Sequence, residues 1–97
     1  MMKFTAELYL NNTFFEKIKK YNEEIMLISK FKNTNSQFCD WTIYINLMYI
    51  DKKQGCYISK VRFLFEDRMP KELLKNGNKF KLFYIMYEVG YGILKFI

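Results

Sequence analysis

The chain contains no histidine. That removes the commonest general base, the commonest metal ligand and every Ser-His or Cys-His nucleophile pair. Cysteine is scarce as well, with only Cys39 and Cys56 present, seventeen positions apart. Two thiols at that spacing, with no histidine, do not build a zinc site. They read as small apolar residues of a reduced cytosolic protein; a disulfide between them is compatible with the sequence but not required by it. Glycine occurs four times, and no Gly-x-x-x-x-Gly-Lys-[Ser/Thr] stretch exists. Gly90-Tyr91-Gly92 lies inside an extended run and precedes no helical pattern, so it is no phosphate cradle. Long apolar runs are missing too: the longest uncharged one, Trp41 to Ile50, is too short to cross a bilayer as a helix. Met1 to Glu7 carries charge where a signal peptide would be apolar. A cytoplasmic protein without a membrane partner is expected.

Acidic pairs are few. Glu23-Glu24 and Glu66-Asp67 are adjacent, and neighbours on a strand point to opposite faces. No catalytic residue, metal set or cofactor motif emerges, so the expectation is a non-enzyme that carries no cofactor.

Aromatic and apolar residues are abundant, at 20% and 51% of 97 residues. Phe, Tyr and Ile dominate, which favours strands over helices. The length suits one domain, 1–97, with one core. Net charge is +6. Such a balance suits a polyanion or an acidic protein, or serves to keep an aromatic-rich barrel in solution.

Along the chain, Phe4, Ala6, Leu8 and Leu10 alternate with Thr5, Glu7 and Tyr9, the period of a half-buried strand. Thr13-Phe14-Phe15-Glu16 has the spacing of a capping box and opens a short helix to about Tyr21, or else belongs to a long barrel loop. Glu24 to Lys32 is a second strand and Asn33 to Gln37 a polar loop. Trp41, Ile43, Ile45 and Leu47 form the inward set of a third strand, followed by a turn over Asp51 to Gly55. Cys56 to Phe65 is a fourth strand with two mixed faces, which suggests cover on both sides. Pro70 breaks the sheet, because proline donates nothing to a ladder. Lys71 to Lys75 then make one helical turn.

The last quarter organises the rest. Asn76-Gly77-Asn78 is a turn, since these residues tolerate positive φ. Phe80, Leu82 and Tyr84 alternate with Lys79, Lys81 and Phe83 as a fifth strand. In the sixth, two glycines alternate with larger residues over Val89 to Ile93, which marks a bend, a bulge or a close backbone approach. Six short-linked strands with no βαβ signal give an all-β, antiparallel Greek-key barrel with one short helix near residues 14–21. Leu74, the run Asn76-Gly77-Asn78-Lys79-Phe80-Lys81-Leu82 and the run Glu88-Val89-Gly90-Tyr91-Gly92-Ile93 carry a family likeness. With their spacing, Leu73 to Ile97 resembles the end of the third domain of elongation factor Tu and of small stand-alone bacterial barrels of that type. The resemblance implies that barrel fold. It also implies contacts with transfer RNA or a protein partner, although no RNA-contact residue of the family maps onto this chain.

The final reversal departs from that family. A glycine-containing acidic turn is usual there, whereas this chain has Phe83-Tyr84-Ile85-Met86-Tyr87. Either the strands run on into a longer hairpin, or an apolar tip is displayed for a partner. Tyr84, Ile85, Met86 and Tyr87 are therefore the candidate partner-binding residues. Lys17, Lys19 and Lys20 beside Phe14, Phe15 and Tyr21, with Lys52 and Lys53 at a loop tip, form a candidate basic patch for phosphates and unpaired bases. The alternative reading makes these lysines solvated loop charges and the aromatics core residues.

Three functions compete. The first is a non-catalytic protein-binding module, in its sharpest form an immunity protein that neutralises a bacterial toxin. A basic inhibitor would fit a toxin with an acidic surface. The second is an RNA-binding or translation-associated module. The third is a barrel that associates only with itself, as a homodimer.

Overall fold

The computed structural model describes residues 4–18, 24–32, 38–53 and 55–96. In chain order the elements are β1 (Phe4–Leu10), α1 (Asn12–Ile18), β2 (Ile25–Lys32), β3 (Phe38–Asp51) and β4 (Cys56–Phe63). Two 3-10 turns (Glu66–Arg68 and Lys71–Leu73) lead into β5 (Lys79–Tyr84) and β6 (Tyr87–Phe96). The six strands close into an antiparallel barrel in the order β1-β4-β3-β2-β5-β6. This is a Greek key: β2, β3 and β4 form a meander, and β1 lies beside β4.

Closure has a geometric consequence for the connections. β1 and β2 stand opposite each other on the ring, as do β4 and β5. The chain must therefore cross one end of the barrel through α1 and the other end through residues 64–78. Both crossings plug the barrel. Phe14 and Ile18 of α1 are buried at one end, and Met69 and Leu73 at the other. The remaining connections are hairpins.

The two-residue period of β1 is realised: Phe4, Ala6 and Leu8 are buried, with Thr5, Glu7 and Tyr9 only half-buried. Leu27 and Phe31 of β2, Ile43 and Ile45 of β3, Val61 and Phe63 of β4 and Leu82 of β5 join them in one core. At its centre Phe31, Phe63 and Phe80 pack at 5.0 to 6.4 Å between ring centroids. Two serines sit in this core, each with a partner, as burial of a hydroxyl requires. Ser29 Oγ donates to the Trp41 carbonyl at 2.7 Å, and Ser59 Oγ accepts the Asn46 N–H at 3.0 Å. Next to Asn46, the β3–β4 register shifts between Leu47 and Tyr49.

Three expectations are corrected. The helix spans Asn12–Ile18, so it starts two residues before Phe14 and does not use Thr13 as its cap. Asn11 caps it, its Oδ1 accepting the Phe14 N–H at 2.7 Å. β4 ends at Phe63, and Leu64 and Phe65 are exposed rather than strand residues. Its faces are not both covered either, since Lys60 and Arg62 face water while Ser59, Val61 and Phe63 face the core. The predicted helical tail to Tyr21 falls outside the described residues, as does the side chain of Cys39. Cys56 is a buried free thiol. Burial, above all, pushes its pKa up from the ordinary value, so it is a packing residue rather than a reactive thiolate.

On the outer face, Arg62 clamps Glu24 through two contacts of 2.7 and 2.9 Å and stacks 4.0 Å over the Tyr44 ring. The hydrogen bonds from Arg62 hold the Glu24 carboxyl below the ordinary value of 4.5. A carboxylate with a depressed folded-state pKa adds stability that is fully present above 4.5 and is lost as pH falls through the folded value. Arg62→Gln is therefore expected to lower the melting temperature slightly at neutral pH. The gap to the parent protein should close in acid, once Glu24 is protonated in both. A gap of constant size from pH 7 to pH 3 would mean that stacking on Tyr44, rather than the ion pair, carries the effect.

Candidate protein-contact site at one end of the barrel

The strand directions place α1, the β3–β4 tip and the β5–β6 tip at the same end of the barrel. α1 crosses between the tips and is fixed to both sides. Phe15 stacks on Tyr57 of β4 at 4.2 Å and 13° between planes, and Phe14 packs on Tyr84 of β5 at 5.4 Å. The helix start is tied to β6 by the Asn11 N–H, which donates to the Val89 carbonyl at 2.9 Å.

Of the two alternatives for the final reversal, the apolar tip is the one found. Tyr84 pairs with Tyr87, so Ile85 and Met86 alone make the turn. Relative exposure is 74% for Ile85, 85% for Met86 and 74% for Tyr87. Tyr84 differs from these three. It is half-buried against Phe14 and belongs to the base of the tip rather than its surface.

The backbone of the turn is unusual for its sequence. Ile85 has φ of 60°, the single positive φ at a non-glycine position among the described residues. Positive φ at the first of two turn positions is the mark of a type II′ hairpin, where glycine is the usual residue. A β-branched side chain there is strained by roughly 1–2 kcal/mol. A β-bulge lies directly behind the tip: Leu82 pairs with Gly90 and Phe83 with Glu88, which leaves Val89 as the extra residue. Gly90 accepts the bend with φ of 153°, and a Cβ there would stand 2.2 Å from the Tyr9 carbonyl oxygen.

The tip does not stand alone. Pairing of β2 with β5 stops at Ile28 and Phe83, while β2 continues along β3 as far as Ile25. The seam opens there into a groove of about 300 Å³, lined by Met26, Leu27, Ile28, Phe83, Tyr84 and Ile85. Met26 is 59% exposed at its rim. Met26 and Ile28 sit on the outward parity of β2, and that alternation was the available signal for them in the sequence. Tyr49 and Ile50, also exposed, lie beside the opposite tip.

The candidate basic residues divide. Lys17 is exposed on α1 with its Nζ 5.5 Å from the Tyr84 ring centroid, so it borders the apolar tip. Lys52 and Lys53 are exposed at the β3–β4 tip, where Asp51 Oδ1 accepts the Lys53 N–H at 3.0 Å. They share the barrel end with Lys17, on the far side of α1. Lys19 and Lys20 lie outside the described residues.

Among the described residues, no group of three or more His, Cys, Asp or Glu side chains is gathered as a metal site would need. Nor is any helix among them long and apolar enough to cross a membrane. No protein-family model, curated protein or solved structure matches this chain.

Proposed function

We propose that this chain is a non-catalytic protein-binding module that docks through the β5–β6 tip. One observation carries the reading: three consecutive large apolar residues, Ile85 to Tyr87, are displayed at a hairpin tip whose turn is strained at Ile85, where glycine would relax it. Large apolar groups held in water are typical of contact sites, where one or two buried side chains supply most of the affinity. Backbone strain of this kind persists where the surrounding structure enforces it, as β5, the Val89 bulge and the Phe14–Tyr84 contact do here. An immunity protein, which neutralises a toxin by occluding it, is the specific form that this architecture suits. The net charge of +6 matches a partner with an acidic surface.

The RNA reading keeps one specific support: Lys17, Lys52 and Lys53 share the barrel end with exposed Tyr87 and Tyr49. The sequence likeness of the closing hairpin to the third domain of elongation factor Tu belongs to the same reading. Salt separates the two. Capture from native cell extract with the tagged protein is expected to retain one protein at both 50 mM and 500 mM salt. Met86→Lys is expected to lose that protein with an unchanged melting temperature, because Met86 touches water rather than core. Nucleic acid that is retained at low salt and lost at high salt would replace this reading with the RNA one.

A further inference from the structure

Resting on the tip reading, we infer that the β2–β5 groove is the anchor pocket of that interface. Its occupant is a partner segment carrying one large apolar side chain flanked by carboxylates. The groove is concave and apolar on both walls, with Leu27 buried beneath it. At about 300 Å³ it stands at the lower limit of pockets that enclose a free ligand, a volume suited to an inserted side chain. A planar bilayer would cover the tip but leave this recess unfilled.

Charge sets the chemistry around the anchor. Lys30 Nζ lies 4.8 Å from the centroid of the Phe83 ring that forms one wall, and Lys17 Nζ lies 5.5 Å from that of Tyr84. Cations therefore stand on the wall residues themselves. Among the described residues, the nearby carboxylates of Glu24 and Glu88 are held by cations other than Lys17 and Lys30, whereas Asp40 only shares Lys30. Glu24 is clamped by Arg62, Glu88 lies 3.9 Å from Lys81, and Asp40 is 3.8 Å from Lys30. Of these contacts, the Lys30–Asp40 pair is long and half-exposed, so it leaves Lys30 able to meet an incoming carboxylate. Apolar burial would supply the affinity, and the lysines would select against basic or neutral segments.

A phage-displayed library of random 12-residue peptides, selected on the folded protein, tests this. The expected clones carry a Leu, Ile, Met or Phe with Asp or Glu within four positions. Their binding should fall at least tenfold on a Lys17→Glu/Lys30→Glu protein and on Met26→Asp. Lys17→Gln/Lys30→Gln gives the same test if charge reversal disturbs folding, with melting temperatures measured for all variants. Selection of basic or uncharged clones, binding that survives these substitutions, or no enrichment would overturn the inference. Competition of selected clones by phosphatidylglycerol vesicles would overturn it in favour of lipid. Cell-extract capture that is lost in Met86→Lys but unaffected by the lysine variants would leave the tip reading standing and sink the groove alone. Loss of neither would sink both.

Discussion

Phe80→Ala is expected to destabilise the barrel by about 3–5 kcal/mol, and the same substitution should make Gly92→Ala harmless. The two positions face each other across β5 and β6. A Cβ on Gly92 would lie 2.5 Å from the Phe80 ring and 3.0 Å from Leu8 Cδ2. The ring has little room to move away, because Phe31 and Phe63 pack against it at 5.0 and 6.4 Å. Alone, Gly92→Ala should therefore cost roughly 1–3 kcal/mol as overpacking. With the ring removed, the added methyl enters vacated space, and its cost should fall below about 0.5 kcal/mol. Urea titrations of the two single variants and the double variant measure the coupling. If Phe80→Ala does not fold, Phe80→Leu tests the same contact with a smaller void. Costs that add would show that Gly92 is required by backbone conformation instead of by the ring.

The same pair shows what could be read in the sequence and what could not. Alternation identified the inward residues of β1 and β3 and the Phe80-Leu82-Tyr84 set of β5, since burial of one sheet face imposes that period locally. Glycines within an extended run signalled close approach at Gly90 and Gly92, but not which atoms approach. The Tyr9 carbonyl and the Phe80 ring arrive from other strands. Ser29 and Ser59 share the parity of Leu27 and Val61, yet their burial depends on hydrogen-bond partners in β3, the Trp41 carbonyl and the Asn46 N–H, that only pairing supplies. Thr13 and Glu16 had the capping spacing, yet Asn11 won the cap because its own N–H is held by Val89 on β6. For the candidate site, Tyr84 to Tyr87 stood out through the lack of turn residues. Met26 did not, because the groove exists only where β2 and β5 part.

Ile85→Gly is expected to stabilise the protein and weaken its interaction with the captured partner. The φ of 60° at this residue is open to glycine without strain, and the side chain it removes is 74% exposed. Relief of strain, less the greater freedom of glycine in the unfolded chain, leaves a gain of roughly 1 kcal/mol, or about 4–8 °C in melting temperature for a chain of this size. Partner affinity should fall by a factor of at least ten, since the residue lines the groove as well as forming the tip. A loop that served only to connect β5 and β6 would gain on the first measure and lose nothing on the second. The opposite movement of the two quantities is thus the signature of strain retained for contact, the stability–function trade-off expected where a strained turn serves binding. If the Ile85→Gly protein is more stable and still captures the partner with full affinity, Ile85 is no contact residue, and binding must be sought elsewhere at this barrel end, beginning with Tyr49, Ile50, Lys52 and Lys53.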